Sequence, residues 1–175
     1  MEKTLKRFGI IGFIFTGIMG VLLHFIYELT DESIIVAPFS AVNESTWEHT
    51  KLLFVPLLIF AFIEYRFIGK DCESFWCVKL IGTTAGLLTV PVLFYTYKGA
   101  LGVSADWFNI SIFFIAAAVT FLTERAMLKR KVSCPLPTAV AIGGLFLIAL
   151  LYLIFTFKPP EIPLFEDPLK GTYGI

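Results

Sequence analysis

Five mostly apolar segments, each close to the length that a helix needs to cross a bilayer, dominate the chain. They cover residues 8–27, 52–68, 75–95, 108–122 and 136–157. A bilayer core about 30 Å thick takes roughly 20 apolar residues as a helix. A chain of 175 residues that is 57% hydrophobic and only 16% charged cannot hide these segments in one soluble core. The pattern predicts an all-α membrane protein.

The second and fourth segments are the shortest, and they reach a full span only with polar residues at their ends. With those residues included, we predict a five-transmembrane-helix bundle that occupies residues 1–157. Its helices are predicted at about 8–28, 47–68, 75–97, 107–124 and 136–157.

Lysine and arginine are unevenly divided between alternate connections. Ten of the fourteen lie on the side of the N-terminus: Lys3, Lys6, Arg7, Arg66, Lys70, Lys79, Arg125, Lys129, Arg130 and Lys131. The other side holds Lys51, Lys98, Lys158 and Lys170. Positive residues in short loops stay in the cytoplasm, so we predict a multi-pass cell-membrane protein with its N-terminus inside and its C-terminus outside. The formal net charge of zero argues against a nucleic-acid partner.

The three cysteines, Cys72, Cys77 and Cys134, all fall on the predicted cytoplasmic side, where thiols stay reduced. The spacing between Cys72 and Cys77 is wider than that of a zinc knuckle, and no histidine lies nearby. We predict free, partly buried thiols.

The chain has two histidines, His24 and His49, and both lie at the predicted outer ends of the first two helices. Glu28 follows His24 by four residues and therefore shares its helical face. Asn43 is a suitable N-cap for the second helix, and Glu44 suits the positive end of its dipole. Glu48 lies on the same face as Glu44.

These residues are predicted to converge if the first two helices are neighbours. His24, Glu28 and His49 are then the predicted ligands of a divalent metal such as zinc, with a coordination position left for water. Glu44 and Glu48 are the predicted catalytic carboxylates. The same groups can instead bind protons or a cationic solute, or they are ordinary interfacial residues and helix caps. No HExxH motif favours the metal.

The last 18 residues, 158–175, contain four prolines and cannot form another helix. Phe165, Leu169 and Tyr173 are spaced as apolar anchors. We predict an extended extracytoplasmic tail that folds back over the outer mouth of the bundle. A tail that lies on the membrane surface is the alternative.

Three stretches resemble a known family: His24-Phe-Ile-Tyr-Glu28, Asn43-Glu-Ser-Thr-Trp-Glu-His-Thr-Lys-Leu-Leu-Phe54 and the tail segment 163–174. They are similar to DUF6512, a family of small bacterial multi-pass membrane proteins of unknown function. The resemblance implies a bacterial cell membrane, and no catalytic role can be carried over from it.

Three classes of function remain open. The first is a metal-dependent enzyme that acts on a lipid or envelope substrate at the outer His/Glu cluster. The second is a transporter or a component that binds a solute or ion, and the third is a structural membrane partner without a site. The expected partners are the lipid bilayer and a lipid or small-molecule ligand.

Overall fold

The computed structural model describes residues 2–130 and 134–175, and these fold into five α-helices. They are α1 (Glu2–Leu29), α2 (Thr46–Phe67), α3 (Phe75–Leu101), α4 (Asp106–Lys129) and α5 (Thr138–Phe157), with a short 3-10 helix at Gly69–Asp71 between α2 and α3. Within the described residues there is no strand, and Glu166 and Tyr173 form an isolated bridge in the tail. The predicted all-α class is confirmed.

Four of the five helices, α1, α3, α4 and α5, are long and apolar enough to cross a membrane. Large apolar side chains on these helices point away from the protein. Ile18 is 58% exposed and Phe146 is 68% exposed, and both have many apolar neighbours that are similarly uncovered. Soluble monomers rarely expose so much contiguous apolar surface, and this surface is the one that a membrane protein presents to lipid.

Helix α2 differs from the others because it lies at the centre of the bundle. Twelve of its 22 residues are buried, whereas four of the 20 residues of α5 are. Leu53 and Phe60 pack in a core with α3 and α4, while Phe54 and Ala61 belong to a second core with α3 and α5. A central helix is covered by protein rather than lipid, so it can carry polar side chains on most of its faces, whereas the outer helices can carry them only on the faces turned towards other helices.

Small residues allow the helices to approach closely at two points. Pro56 has no N–H, so the carbonyl of Leu52 loses its helical donor. This carbonyl lies against Gly20 of α1, where a Cβ would come within 3.2 Å of it. At Gly86 of α3 a Cβ would clash with the hydroxyl of Thr120 on α4. Larger side chains at these two glycines would push the helices apart.

Side-chain contacts between successive helices define two ends of the bundle. At the histidine end, His24 on α1 meets His49 on α2, and Tyr97 on α3 hydrogen-bonds Asn109 on α4 at 2.5 Å. The opposite end holds the first turns of α1, α3 and α5 and the last turns of α2 and α4. Glu2 of α1 is bound there to Lys129 of α4 at 2.6 Å.

At the opposite end, a disulfide joins Cys77 of α3 to Cys134, which precedes α5. Cys72 is the free cysteine of the described residues. The prediction of free thiols is therefore wrong for Cys77 and Cys134. The two are 57 residues apart, and the packing of α5 against α3 brings them together. The spacing of cysteines along the sequence does not predict such a contact.

Candidate functional site

The connection between α1 and α2 is fixed to both helices by serine side chains. The Ser40 hydroxyl accepts a hydrogen bond from the backbone N–H of Tyr27 at 3.1 Å and donates one to the carbonyl of Leu23. Ser45 is the N-cap of α2, and its hydroxyl accepts from the backbone N–H of Glu48 at 3.3 Å. The residues between the two serines are thereby held beside the first turn of α2.

Asn43 does not cap α2 as the sequence predicted, because Ser45 fills that position and the helix begins at Thr46. The Asn43 side chain instead accepts a hydrogen bond from the backbone N–H of Ser45 at 2.9 Å, which forms an Asx-type turn. Its amide nitrogen donates to the carbonyl of Gly174 in the tail at 3.0 Å. Both contacts orient the backbone on either side of Glu44.

Glu44 lies between the two histidines at the histidine end. Its Oε1 is 3.8 Å from His24 Nε2, and its Oε2 is 3.5 Å from His49 Nε2. The two imidazole rings are 5.5 Å apart between centroids. One ligand atom from each of the three residues lies within 4.8 Å of the others. We call His24, Glu44 and His49 the His/Glu cluster.

The cluster is accessible to water, because its side chains are 30%, 42% and 35% exposed for His24, Glu44 and His49. His49 Nδ1 is 2.9 Å from the carbonyl oxygen of Ser45. In the tautomer protonated at Nδ1, this nitrogen donates a hydrogen bond to that carbonyl, and the Nε2 lone pair is free to face Glu44. Metal-bound histidines are commonly oriented by this kind of second hydrogen bond. His24 Nδ1 is buried and has no hydrogen-bond partner within the described residues.

Two imidazoles and one carboxylate form a donor set that zinc uses in hydrolytic enzymes, with water in the fourth position. Ligand distances of about 2.0–2.2 Å place tetrahedral donor atoms about 3.4 Å apart. Glu44 Oε2 is 3.5 Å from His49 Nε2 and Glu44 Oε1 is 3.8 Å from His24 Nε2, both close to this value, while one ligand atom from each of the three residues lies within 4.8 Å of the others. Small side-chain rotations at a half-exposed site would complete the coordination.

The structure brings together two of the three predicted metal ligands, His24 and His49, and it adds Glu44, which was predicted as a catalytic carboxylate. Glu28 is exposed and stands outside the group of converging ligand atoms. Spacing along α1 correctly puts Glu28 on the side of His24. The cluster nevertheless takes its carboxylate from the loop, whose path the sequence pattern did not reveal.

Glu48, the other predicted catalytic carboxylate, lies in a buried ion pair. It is 2% exposed and its Oε2 is 2.5 Å from Nζ of Lys51, which is wholly buried. Lys51 also donates to the carbonyl of Ala37 and to the Thr156 hydroxyl, each at 2.8 Å. The backbone N–H of Val42 donates to Glu48 Oε2 at 3.0 Å. This geometry favours a structural role for Glu48, joining α2 to the loop and to α5.

Residues of the tail contact the same end of the bundle. The carbonyl of Leu164 accepts from the backbone N–H of Trp47 at 3.0 Å, and that of Pro163 accepts from the Tyr95 hydroxyl at 2.9 Å. The Phe165 ring lies 4.9 Å from the Trp47 ring between centroids. Together with the Gly174 contact to Asn43, these interactions bring the tail beside the loop that carries Glu44.

Sequence reasoning missed a second buried charged group at the opposite end. Glu64 of α2 and Glu124 of α4 both contact Nζ of Lys79 on α3. The available signal was the presence of each of these charges inside a largely apolar helix, since such residues are rarely found facing lipid.

Comparison with known proteins gives one match. The model of a family described as "Family of unknown function (DUF6512)" matches residues 1–175. No curated protein and no solved structure matches the chain.

Proposed function

The chain belongs to the DUF6512 family, whose function is unknown, and we propose that it is a five-span integral membrane protein with a catalytic zinc-type centre at its histidine end. The reaction class that fits this centre is metal-dependent hydrolysis of a lipid or envelope substrate. One observation carries the proposal: three ligand atoms from His24, Glu44 and His49 converge within 4.8 Å at a water-accessible position.

Helix α2 serves as the fifth span in this proposal. Its 22 residues rise about 33 Å, which is enough to cross the hydrocarbon core. Its lower apolarity follows from its central position, because Glu48, Lys51 and Glu64 are buried among the other helices. A returning span is also required by the chain order, since α2 begins at the histidine end and finishes at the opposite end.

The proposed orientation has the N-terminus in the cytoplasm and the histidine end outside. Lys51 and Lys79 are buried in ion pairs and do not count as loop charges, and removing one from each side preserves the bias. Lys131, one of the residues on the N-terminal side, lies outside the described residues.

The Cys77–Cys134 disulfide favours the reverse orientation, because such bonds persist in oxidising compartments. We give more weight to the charge bias, which is distributed over every connection; in this orientation the disulfide lies on the cytoplasmic side of the membrane. If a membrane-impermeant maleimide labels Cys72 in intact cells, then this end of the bundle faces outward and the proposed orientation is wrong.

The chemistry of the centre follows from its ligand set. A zinc ion held by three protein ligands leaves a position for water and lowers the pKa of that water towards neutrality. Glu28 is exposed on α1 one turn beyond His24, where a substrate that approaches the cluster would meet it. The centre lies at the ends of α1 and α2, so in a bilayer it faces the headgroup region rather than the acyl chains.

Metal content tests the proposal directly. Protein purified in detergent, stripped with chelator and re-equilibrated with zinc should retain about one equivalent after gel filtration. His24→Ala, His49→Ala and Glu44→Gln should each lose it. Glu28→Gln is the matched control, because it removes a nearby carboxylate that lies outside the cluster. Failure of the wild-type protein to retain zinc, or equal loss in the control, would refute the metal centre.

Cobalt substitution separates a catalytic centre from a closed structural one. Cobalt in a tetrahedral site has visible absorption bands, and these should shift when a hydroxamate displaces the water of an open fourth position. An unchanged spectrum would mean that the coordination shell is closed and that the protein binds metal without hydrolytic chemistry.

A further inference from the structure

The buried charged group at the opposite end contains two carboxylates, Glu64 and Glu124, but one ammonium, Lys79. Lys79 Nζ donates to Oε2 of Glu64 and, at 2.6 Å, to Oε2 of Glu124. The three residues come from α2, α3 and α4, and each is between 2% and 4% exposed. With all three ionised, the group would carry one uncompensated negative charge in the interior of the bundle. We call these residues the acid–lysine cluster.

Among the described residues, the surroundings offer no cation to balance that charge. Phe75 and Phe121 place their rings 5.4 and 5.9 Å from Lys79 Nζ. Gly82 gives room to Glu124, since a Cβ there would clash with its side chain. Within residues 2–130 and 134–175, no hydrogen bond reaches Oε1 of either carboxylate, and Lys79 is their ion-pair partner.

The other charged groups that the structure describes at this end form ion pairs elsewhere or are exposed to solvent. Arg125 and Lys129 of α4 both pair with Glu2 of α1. The remaining charged side chains that the structure describes on the packed elements are exposed; they are Lys3, Lys6 and Arg7 of α1, Arg66 of α2, Lys70, Asp71 and Glu73 around the 3-10 helix, and Arg130 at the end of α4. None of these pairs with the acid–lysine cluster.

We propose that the acid–lysine cluster is a proton-binding site, in which Glu64 and Glu124 share one proton beside Lys79. Burying an unbalanced charge costs several kcal/mol, which exceeds the cost of taking a proton from water near neutral pH. Two carboxylates that contact one ammonium lie within about 6 Å of each other, twice a hydrogen-bond length, so the charge of one disfavours ionisation of the other. Binding adds an O–H bond to one carboxylate and changes no oxidation state.

The bound proton makes the cluster neutral, with one carboxylate, one ammonium and one carboxylic acid. Loss of the proton leaves a negative charge at the junction of three helices, and water or a cation must then enter. The site is therefore able to couple proton binding to the packing of α2, α3 and α4. It is separate from the His/Glu cluster and does not depend on metal binding there.

Infrared spectroscopy of the protein in lipid nanodiscs tests the proposal. At neutral pH the wild-type protein should show the C=O stretch of a protonated carboxylic acid, shifted in D₂O and lost at high pH. Glu64→Gln and Glu124→Gln should each lose this band, because the remaining carboxylate then pairs with Lys79 as an ion. Glu28→Gln should keep it.

Two results would overturn the proposal. One is a wild-type spectrum without the band, which requires no variant to fold. The other is a band that persists in both glutamine variants, which would assign the proton to a different buried carboxyl group. Zinc retention measured in the same preparations shows whether the histidine end is intact, so a failure of either site is recognised independently of the other.

Discussion

The two buried charged groups that the structure describes are both built from lysine and glutamate, but they differ in the ratio of positive to negative charges. At the histidine end, Lys51 meets one carboxylate, Glu48, and the remaining donors and acceptors are filled by Ala37, Thr156 and the backbone of Val42. At the opposite end, a single lysine meets two carboxylates and has no backbone or hydroxyl partner within the described residues.

The difference separates a structural pair from a site that can exchange a ligand. A buried pair of one positive and one negative charge, with all its hydrogen bonds made, gains nothing by taking up a proton or an ion. A buried group with an excess acid must take one up. Charge balance, more than burial, distinguishes the role of the Glu48–Lys51 pair from the role proposed for the acid–lysine cluster. Three measurements test this distinction and the independence of the metal centre from it.

The largest effect is expected at the balanced pair. Glu48→Gln leaves Lys51 buried without a counter-ion, so the free energy of unfolding should fall by about 3–5 kcal/mol. Thermal unfolding in detergent measures this loss. Glu161→Gln, at an exposed position of the tail, is the control and should have little effect. Equal behaviour of the two variants would mean that the Glu48–Lys51 pair does not hold the histidine end together.

An intermediate effect is expected when zinc is added. A ligand at 100 times its dissociation constant stabilises the folded state by about 2.7 kcal/mol. Wild-type protein and Glu124→Gln should both show this gain in thermal unfolding, because the acid–lysine cluster is far from the metal ligands. His24→Ala should show none. A zinc-dependent gain that survives in His24→Ala would place the binding site elsewhere.

The smallest effect is expected from Glu124→Gln itself. If one proton is already bound, glutamine replaces a neutral carboxylic acid of the same shape and leaves a balanced Glu64–Lys79 pair. The free energy of unfolding should change by less than about 1 kcal/mol, compared with 3–5 kcal/mol for Glu48→Gln. A loss as large as that of Glu48→Gln would show that both carboxylates are ionised and needed.

The sequence was sufficient to predict the all-α class and the number of helices, because apolar segments of this length have few other solutions. It was also sufficient to predict that His24 and His49 lie at the same end of the bundle, since they flank the same connection between α1 and α2. The choice of Glu44 over Glu28 depends on the path of the loop, which Ser40 and Ser45 determine through contacts with both helices. Such contacts have no periodic pattern.

The buried charges were harder to predict for a different reason. Lys51 and Lys79 were counted as loop charges because they lie near the ends of apolar segments. Their burial depends on which helix is central, and that is decided by packing among all five helices. The disulfide between Cys77 and Cys134 was not predicted for the same reason, because it depends on packing between helices that are far apart in the sequence.

The hydrogen bond between Asn43 and Gly174 has a consequence for biogenesis. It spans 131 residues, and its acceptor is synthesised after the residues of all five helices. The loop that carries Glu44 therefore receives this restraint only after the residues of all five helices have been synthesised. A chain in which the tail has not yet docked lacks this restraint, so the loop of the proposed metal centre is ordered only when the tail is in place.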